Sequence, residues 1–160
     1  MKILVFTEGT ILMHPAGAGV SREERVEQVK KEIPGLDDFK NYIPIGRAAE
    51  KLQKWQSQGA EIFYLTSREK DEEVSTIKNV LGKYHFPEGE LLFRREGEEY
   101  KDVAERLIPD ILIEDDCESI GGKEDMTYTH IRPDLKDKIK LIEVKEFNGI
   151  DHLPDSLVSM

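Results

Sequence analysis

Three consecutive acids, Glu114, Asp115 and Asp116, follow the apolar run Ile111-Leu112-Ile113 without a break. A run that short, with Pro109 ahead of it and polar residues behind, reads as a fully buried parallel strand. In an open α/β sheet, ligands gather outside the carboxyl ends of the strands, so these acids fall where chemistry sits. Adjacent carboxylates repel one another and call for a counter-charge. A hard cation such as magnesium, taking one or two carboxylates plus waters, would supply it. The competing reading makes Asp115 and Asp116 the start of a loop, where Asp is favoured for local hydrogen bonding.

Two other strand ends carry polar groups. The run KILVF at 2–6 opens onto Thr7-Glu8-Gly9-Thr10, a Gly-containing turn of the kind that brings backbone N–H groups to a phosphate. The run EIFYL at 61–65 delivers Thr66-Ser67-Arg68. Arg68 there suits either an anion contact or a surface ion pair.

The elements that must hold these groups alternate. Strands are expected at 2–6, 61–65, 90–94 and 111–113. Between them fall helices: one opening at the Ser21/Glu24 capping box with the stripe Val26, Val29 and Ile33, and one marked by Ala48, Leu52 and Trp55. A third carries Val74, Ile77, Val80 and Leu81, and a fourth spans 98–107 with Lys101 near its start. Such alternation predicts a doubly wound α/β fold, a mostly parallel sheet covered on both faces. Residues 123–134 read as loop, 138–147 as a last strand, and the tail from His152 as a loosely attached turn. Trp55, Phe39 and Tyr42 are expected to pack, and His14 to sit on a solvated loop.

At 160 residues the chain is expected to form one domain with a sizeable core. Its net charge of −10 disfavours nonspecific binding to nucleic acid, while leaving room for a local basic pocket. The single cysteine, Cys117, rules out an internal disulfide and fits a reducing cytosol, as a partly buried inert thiol. The opening run MKILVF is too short for a signal-peptide core or a membrane span, so a cytoplasmic location away from membranes is expected.

Taken together and in this order, the strand-end groups resemble the haloacid dehalogenase-like (HAD-like) superfamily, most of whose members are phosphohydrolases. The resemblance runs from residue 1 to about residue 122. YLTSR matches the second motif of the family, which makes Thr66 the phosphate-binding hydroxyl and Ser67 its neighbour. Lys101, 14 residues before Asp115 (115 − 101), would be the third-motif cation, and LIEDD would offer Asp115 and Asp116 to magnesium. Residues 12–45 leave room for only a small helical cap.

The first motif departs from the pattern. The family has Asp, any residue, Asp, Gly, Thr and an apolar residue. Aligning on Gly9-Thr10-Ile11 puts Phe6 at the nucleophile and Glu8 at the general acid/base; aligning on the strand puts Thr7 at the nucleophile. A phenylalanine forms no aspartyl phosphate. Thr7 and Glu8 are then the residues left for chemistry, although neighbours on an extended strand point to opposite faces. The resemblance thus implies a magnesium-dependent phosphohydrolase relative with altered or lost catalysis. The alternative is a non-catalytic module binding a small phosphorylated molecule or a protein partner.

Overall fold

Strand β1 (Lys2–Phe6) buries its central residues Ile3, Leu4 and Val5 completely, which is possible only for a strand covered on both faces. The computed structural model, which describes residues 1–35 and 37–160, places it in the middle of a five-stranded sheet. Two short strands, β2 (Leu12–Met13) and β3 (Ile43–Pro44), pair antiparallel apart from that sheet. The main sheet continues with β4 (Glu61–Leu65), β5 (Glu90–Leu92), β6 (Ile111–Asp115) and β7 (Lys140–Val144), in the order β5-β4-β1-β6-β7. Every pairing within it is parallel. The direction of winding reverses between β1 and β6, so the crevice beyond their carboxyl ends is the natural place for a ligand.

Side-chain alternation along the strands divides the core into two layers. Ile3, Val5, Ile62, Tyr64, Ile111 and Ile113 meet Leu52 and Trp55 of α2 (Ala48–Ser57) and Ile77, Val80 and Leu81 of α3 (Asp71–Lys83). On the other face Leu4, Leu65 and Leu112 meet Val103 and Ala104 of α4 (Tyr100–Leu107), with Ile131, Leu135 and Ile139. Between β1 and β4 the chain carries α1 (Arg22–Lys30), whose N-cap Ser21 accepts the Glu24 N–H at 3.1 Å. Val26 of this helix packs with Met13, Ile45 and Phe147 in a third, smaller cluster. No helix among the described residues is long and apolar enough to cross a membrane.

Several elements differ from the sequence expectation. Helix α1 stops at Lys30 because Glu32 takes a left-handed φ of 48°, which leaves Ile33 outside it. Strand β5 ends at Leu92; beyond it the Arg94 guanidinium stacks 4.1 Å from the Tyr100 ring centre. The 123–134 stretch is not loop throughout. It holds a 3₁₀ turn (Gly122–Asp125) and two four-residue helices, α5 (Thr127–His130) and α6 (Pro133–Lys136). Helices of one turn have no apolar period to read, and α5 is fixed by a tertiary contact: the Glu114 carboxylate accepts the Thr127 and Tyr128 N–H groups at 2.9 and 2.8 Å. Strand β7 covers 140–144 rather than 138–147, and the residues after it leave the sheet to reach the crevice.

The tail is not loosely attached either. The Trp55 indole N–H donates to the Pro154 carbonyl at 2.9 Å, and the Lys51 ammonium donates to the Leu153 carbonyl at 2.6 Å. Asp155 sits between Lys51 (2.5 Å) and Lys54 (2.7 Å), which hold its carboxyl down at about 2. Leu153, Leu157 and Met160 complete the apolar cover. Deleting residues 153–160 is therefore expected to lower stability by about 2–4 kcal/mol, the scale of one large side chain and its hydrogen bond. It should also red-shift the fluorescence of the lone tryptophan. A truncated protein with unshifted emission and melting temperature would show that the tail contributes nothing to the core.

Candidate active site

The loop after β1 turns sharply, since the Thr7 carbonyl accepts the N–H groups of Thr10, Ile11 and Leu12 at 3.3, 2.9 and 2.9 Å. Gly9 adopts a φ of +84°, and a Cβ there would lie 3.0 Å from Asp115 Oδ2 and 3.4 Å from Glu146 Cγ. Both the left-handed backbone and the close approach demand glycine. The turn thereby brings the Thr10 hydroxyl to Asp115 Oδ2, to which it donates at 2.8 Å.

Asp115 ends β6 and Asp116 follows it. Glu146, two residues past β7, swings in beside them: carboxylate oxygens of the three lie within 4.8 Å of one another. Local donors orient each one. The Cys117 N–H donates to Asp115 (2.9 Å), the Glu146 N–H to Asp116 (3.1 Å), and the Ser119 N–H and hydroxyl to Glu146 (2.7 and 2.6 Å). All of these donors are neutral. Burial pushes the Asp115 carboxyl up to about 6, with the charges of Glu146 and Asp116 adding to it. Burial also raises Glu146, and it lifts neighbouring Glu114 to about 7. Three grouped all-oxygen side chains, of which burial raises Asp115 and Glu146, suit a hard divalent cation.

The Cys117 thiol, pushed up by burial, is no thiolate, in keeping with the expected inert cysteine.

A second group of contacts lies across the crevice at the end of β4. The Glu8 carboxylate accepts from the Thr66 hydroxyl (2.8 and 3.0 Å to its two oxygens), the Ser67 N–H (2.6 Å) and the Ser67 hydroxyl (2.6 Å). The Thr7 hydroxyl donates to it as well, and to the Leu65 carbonyl at 3.4 Å. Thr7 and Glu8 therefore do not point apart as strand neighbours would, because extended geometry ends at Phe6. Arg68 backs the group: its guanidinium donates to Ser67 Oγ at 3.0 and 3.2 Å and stacks 4.3 Å from the Phe39 ring centre.

These two groups flank a cleft of about 370 Å³ that Phe6, Phe39, Tyr42, Tyr100 and Phe147 wall with aromatic surface. Phe39 and Tyr42 thus both pack and face the cleft. His14 is half-buried at its edge rather than solvated; its Nδ1 caps a 3₁₀ turn by accepting the Ala16 N–H at 3.0 Å. Thr66 and Ser67 stand together at Glu8, and Asp115 and Asp116 stand with Glu146. Lys101 occupies the first turn of α4, half-buried, outside the cleft lining; the cations that do line it are Arg25 and Arg68. Sequence reasoning missed Glu146 and Ser119. The one available signal was an acid just past the end of a strand, the same signal that marked Asp115.

No family model matches the sequence, and no curated protein matches it significantly. Solved structures do. A chain of the Pnkp1/Rnl/Hen1 RNA repair complex aligns with a TM-score of 0.59 at 17% identity, over 91% of this chain and 42% of that one. The class C acid phosphatase from Bacillus anthracis with tungstate bound aligns with a TM-score of 0.58 at 14% identity, over 92% of this chain and 68% of that one. The chain spans about two fifths of the length of the RNA repair chain it matches. At these identities the likeness is one of fold alone, a parallel five-stranded α/β sheet flanked by helices.

Proposed function

We propose that the protein is a magnesium-binding, non-hydrolytic module that holds a small phosphorylated molecule in the cleft between β1 and β6. The observation that carries this reading is Phe6. At the end of the central strand, where phosphoryl attack would start, stands a hydrocarbon ring packed edge-on against Tyr100 at 5.1 Å. Such a side chain donates no electron pair to phosphorus.

What remains is suited to holding a ligand. Asp115, Asp116 and Glu146 would hold the cation, which when bound supplies positive charge for phosphoryl oxygens. Ser67 and Arg68 line the cleft and, with Thr66 behind them, would bind a phosphoryl group once Glu8 has swung away, and the aromatic walls offer surface to an organic one. Lys101 would add positive charge at longer range from α4.

A second reading, an altered phosphohydrolase, draws on the hydroxyl–carboxylate contact of Thr7 with Glu8, the arrangement of a nucleophile and its base. Against it, Thr7 is fully buried and absent from the cleft wall.

A panel of phosphate monoesters, incubated with magnesium and assayed for both melting temperature and phosphate release, separates the two. The module reading predicts that some esters raise the melting temperature while release stays at the uncatalysed rate. Magnesium-dependent release that Thr7→Ala or Glu8→Ala abolishes would replace it with the hydrolase reading.

A further inference from the structure

The Thr66–Ser67 corner already holds an anion, and it is part of the chain. We infer that Glu8 is a built-in occupant of the phosphoryl subsite, a tethered carboxylate that any oxyanion must displace. The inference deepens the reading of the cleft as a phosphate-ester site and rests on it for the identity of the incoming ligand.

The hydrogen-bond balance is closed around Glu8. Ser67 Oγ has one proton, which goes to Glu8, and it accepts from the Arg68 guanidinium. Thr66 Oγ1 likewise gives its proton to Glu8 and accepts the Arg68 N–H at 3.2 Å. The Ser67 N–H points at Glu8 too. All three donors are thus committed to one carboxylate. An arriving oxyanion would meet no free donor there and a negative charge in its place.

A tethered group competes at an effective concentration in the millimolar range or above, with no loss of translational freedom. An external ligand sees only the fraction of molecules in which Glu8 has swung out, and its apparent affinity falls by that fraction. A bare oxyanion brings nothing to offset this. An ester whose organic part fills the aromatic cleft does. Glu8 therefore makes the site selective for phosphate esters over free phosphate.

The test is titration of sodium tungstate, a tetrahedral oxyanion, into wild type, Glu8→Ala, Glu8→Gln and the double variant Glu8→Ala/Ser67→Ala, followed by calorimetry. Wild type is expected to show no saturable binding below about 10 mM. Glu8→Ala should bind at least roughly 10-fold more tightly, the worth of a single charge-assisted hydrogen bond. The double variant should lose that gain. Should Glu8→Ala fail to fold by circular dichroism, Glu8→Gln carries the same criterion, since it removes the negative charge that stands in the oxyanion's place while its amide oxygen accepts the same donors. Wild-type binding as tight as the variant's, or no binding by a folded variant, overturns the proposal. The magnesium- and ester-induced melting shifts of wild type, recorded alongside, report on the module reading separately. They persist if only the role of Glu8 is wrong.

Discussion

Asp115→Asn is expected to erase the rise in melting temperature that magnesium gives the wild type. A ligand that binds only the folded state at about 100 times its dissociation constant adds about 2.7 kcal/mol. For a chain of this size that is roughly 5–10 °C. The substitution keeps the shape of the side chain and an oxygen for the Cys117 N–H, turns the Thr10 contact round so that the amide donates to the hydroxyl, and removes the charge from a buried member of the three grouped acids. The metal-free variant should be at least as stable as metal-free wild type, because a buried carboxylate without a cation is a cost. The opposite pattern, a less stable variant and a wild type indifferent to magnesium, would return Asp115 to the role of a turn cap.

The second large effect is on the pH dependence of stability. In the folded chain Asp115 is raised to about 6 and Glu114 to about 7, both chiefly by burial. Between their ordinary values and these raised ones the folded state binds more protons than the unfolded state, so stability falls as pH rises. The contribution is complete below about pH 4 and lost by about pH 7, with a size on the order of 3 kcal/mol for a shift of about two units. Chemical denaturation of the metal-free protein across this range should show that decline. Magnesium should oppose it more strongly at the alkaline end, where the ligands are ionised. A stability curve flat from pH 4 to 8 without metal would mean that the acids are not desolvated as the fold places them.

Much of the sheet was legible because its central strands are buried on both faces. Ile3-Leu4-Val5 and Ile111-Leu112-Ile113 leave no polar residue to blur the reading, and Gly9 and Pro109 punctuate the chain beside them. The group at the end of β6 was legible for the same reason, as acids directly abutting an apolar run. Elsewhere the information is tertiary. Helix α5 exists because the buried Glu114 accepts its first N–H groups, and no local pattern encodes that partner. The tail reads as polar and Pro-containing, yet Lys51 and Trp55, about a hundred residues earlier, hold it down. Glu146 was hidden because β7 is an edge strand of mixed exposure, so its end could not be located from period alone. Glu8 was misjudged in direction: the strand ends one residue before Thr7, and a side chain on the turn is not bound by strand alternation.

The most direct test is calorimetric titration of magnesium at about pH 7.5, above the value of about 6 to which burial raises Asp115, into wild type and Glu146→Gln. Glu146 is the acid that the fold adds to the pair written in the sequence. The account predicts saturable binding of one ion per wild-type chain, weakened at least roughly 10-fold in the variant. Wild type that takes up no magnesium, or a variant that binds it as tightly as wild type, would contradict it.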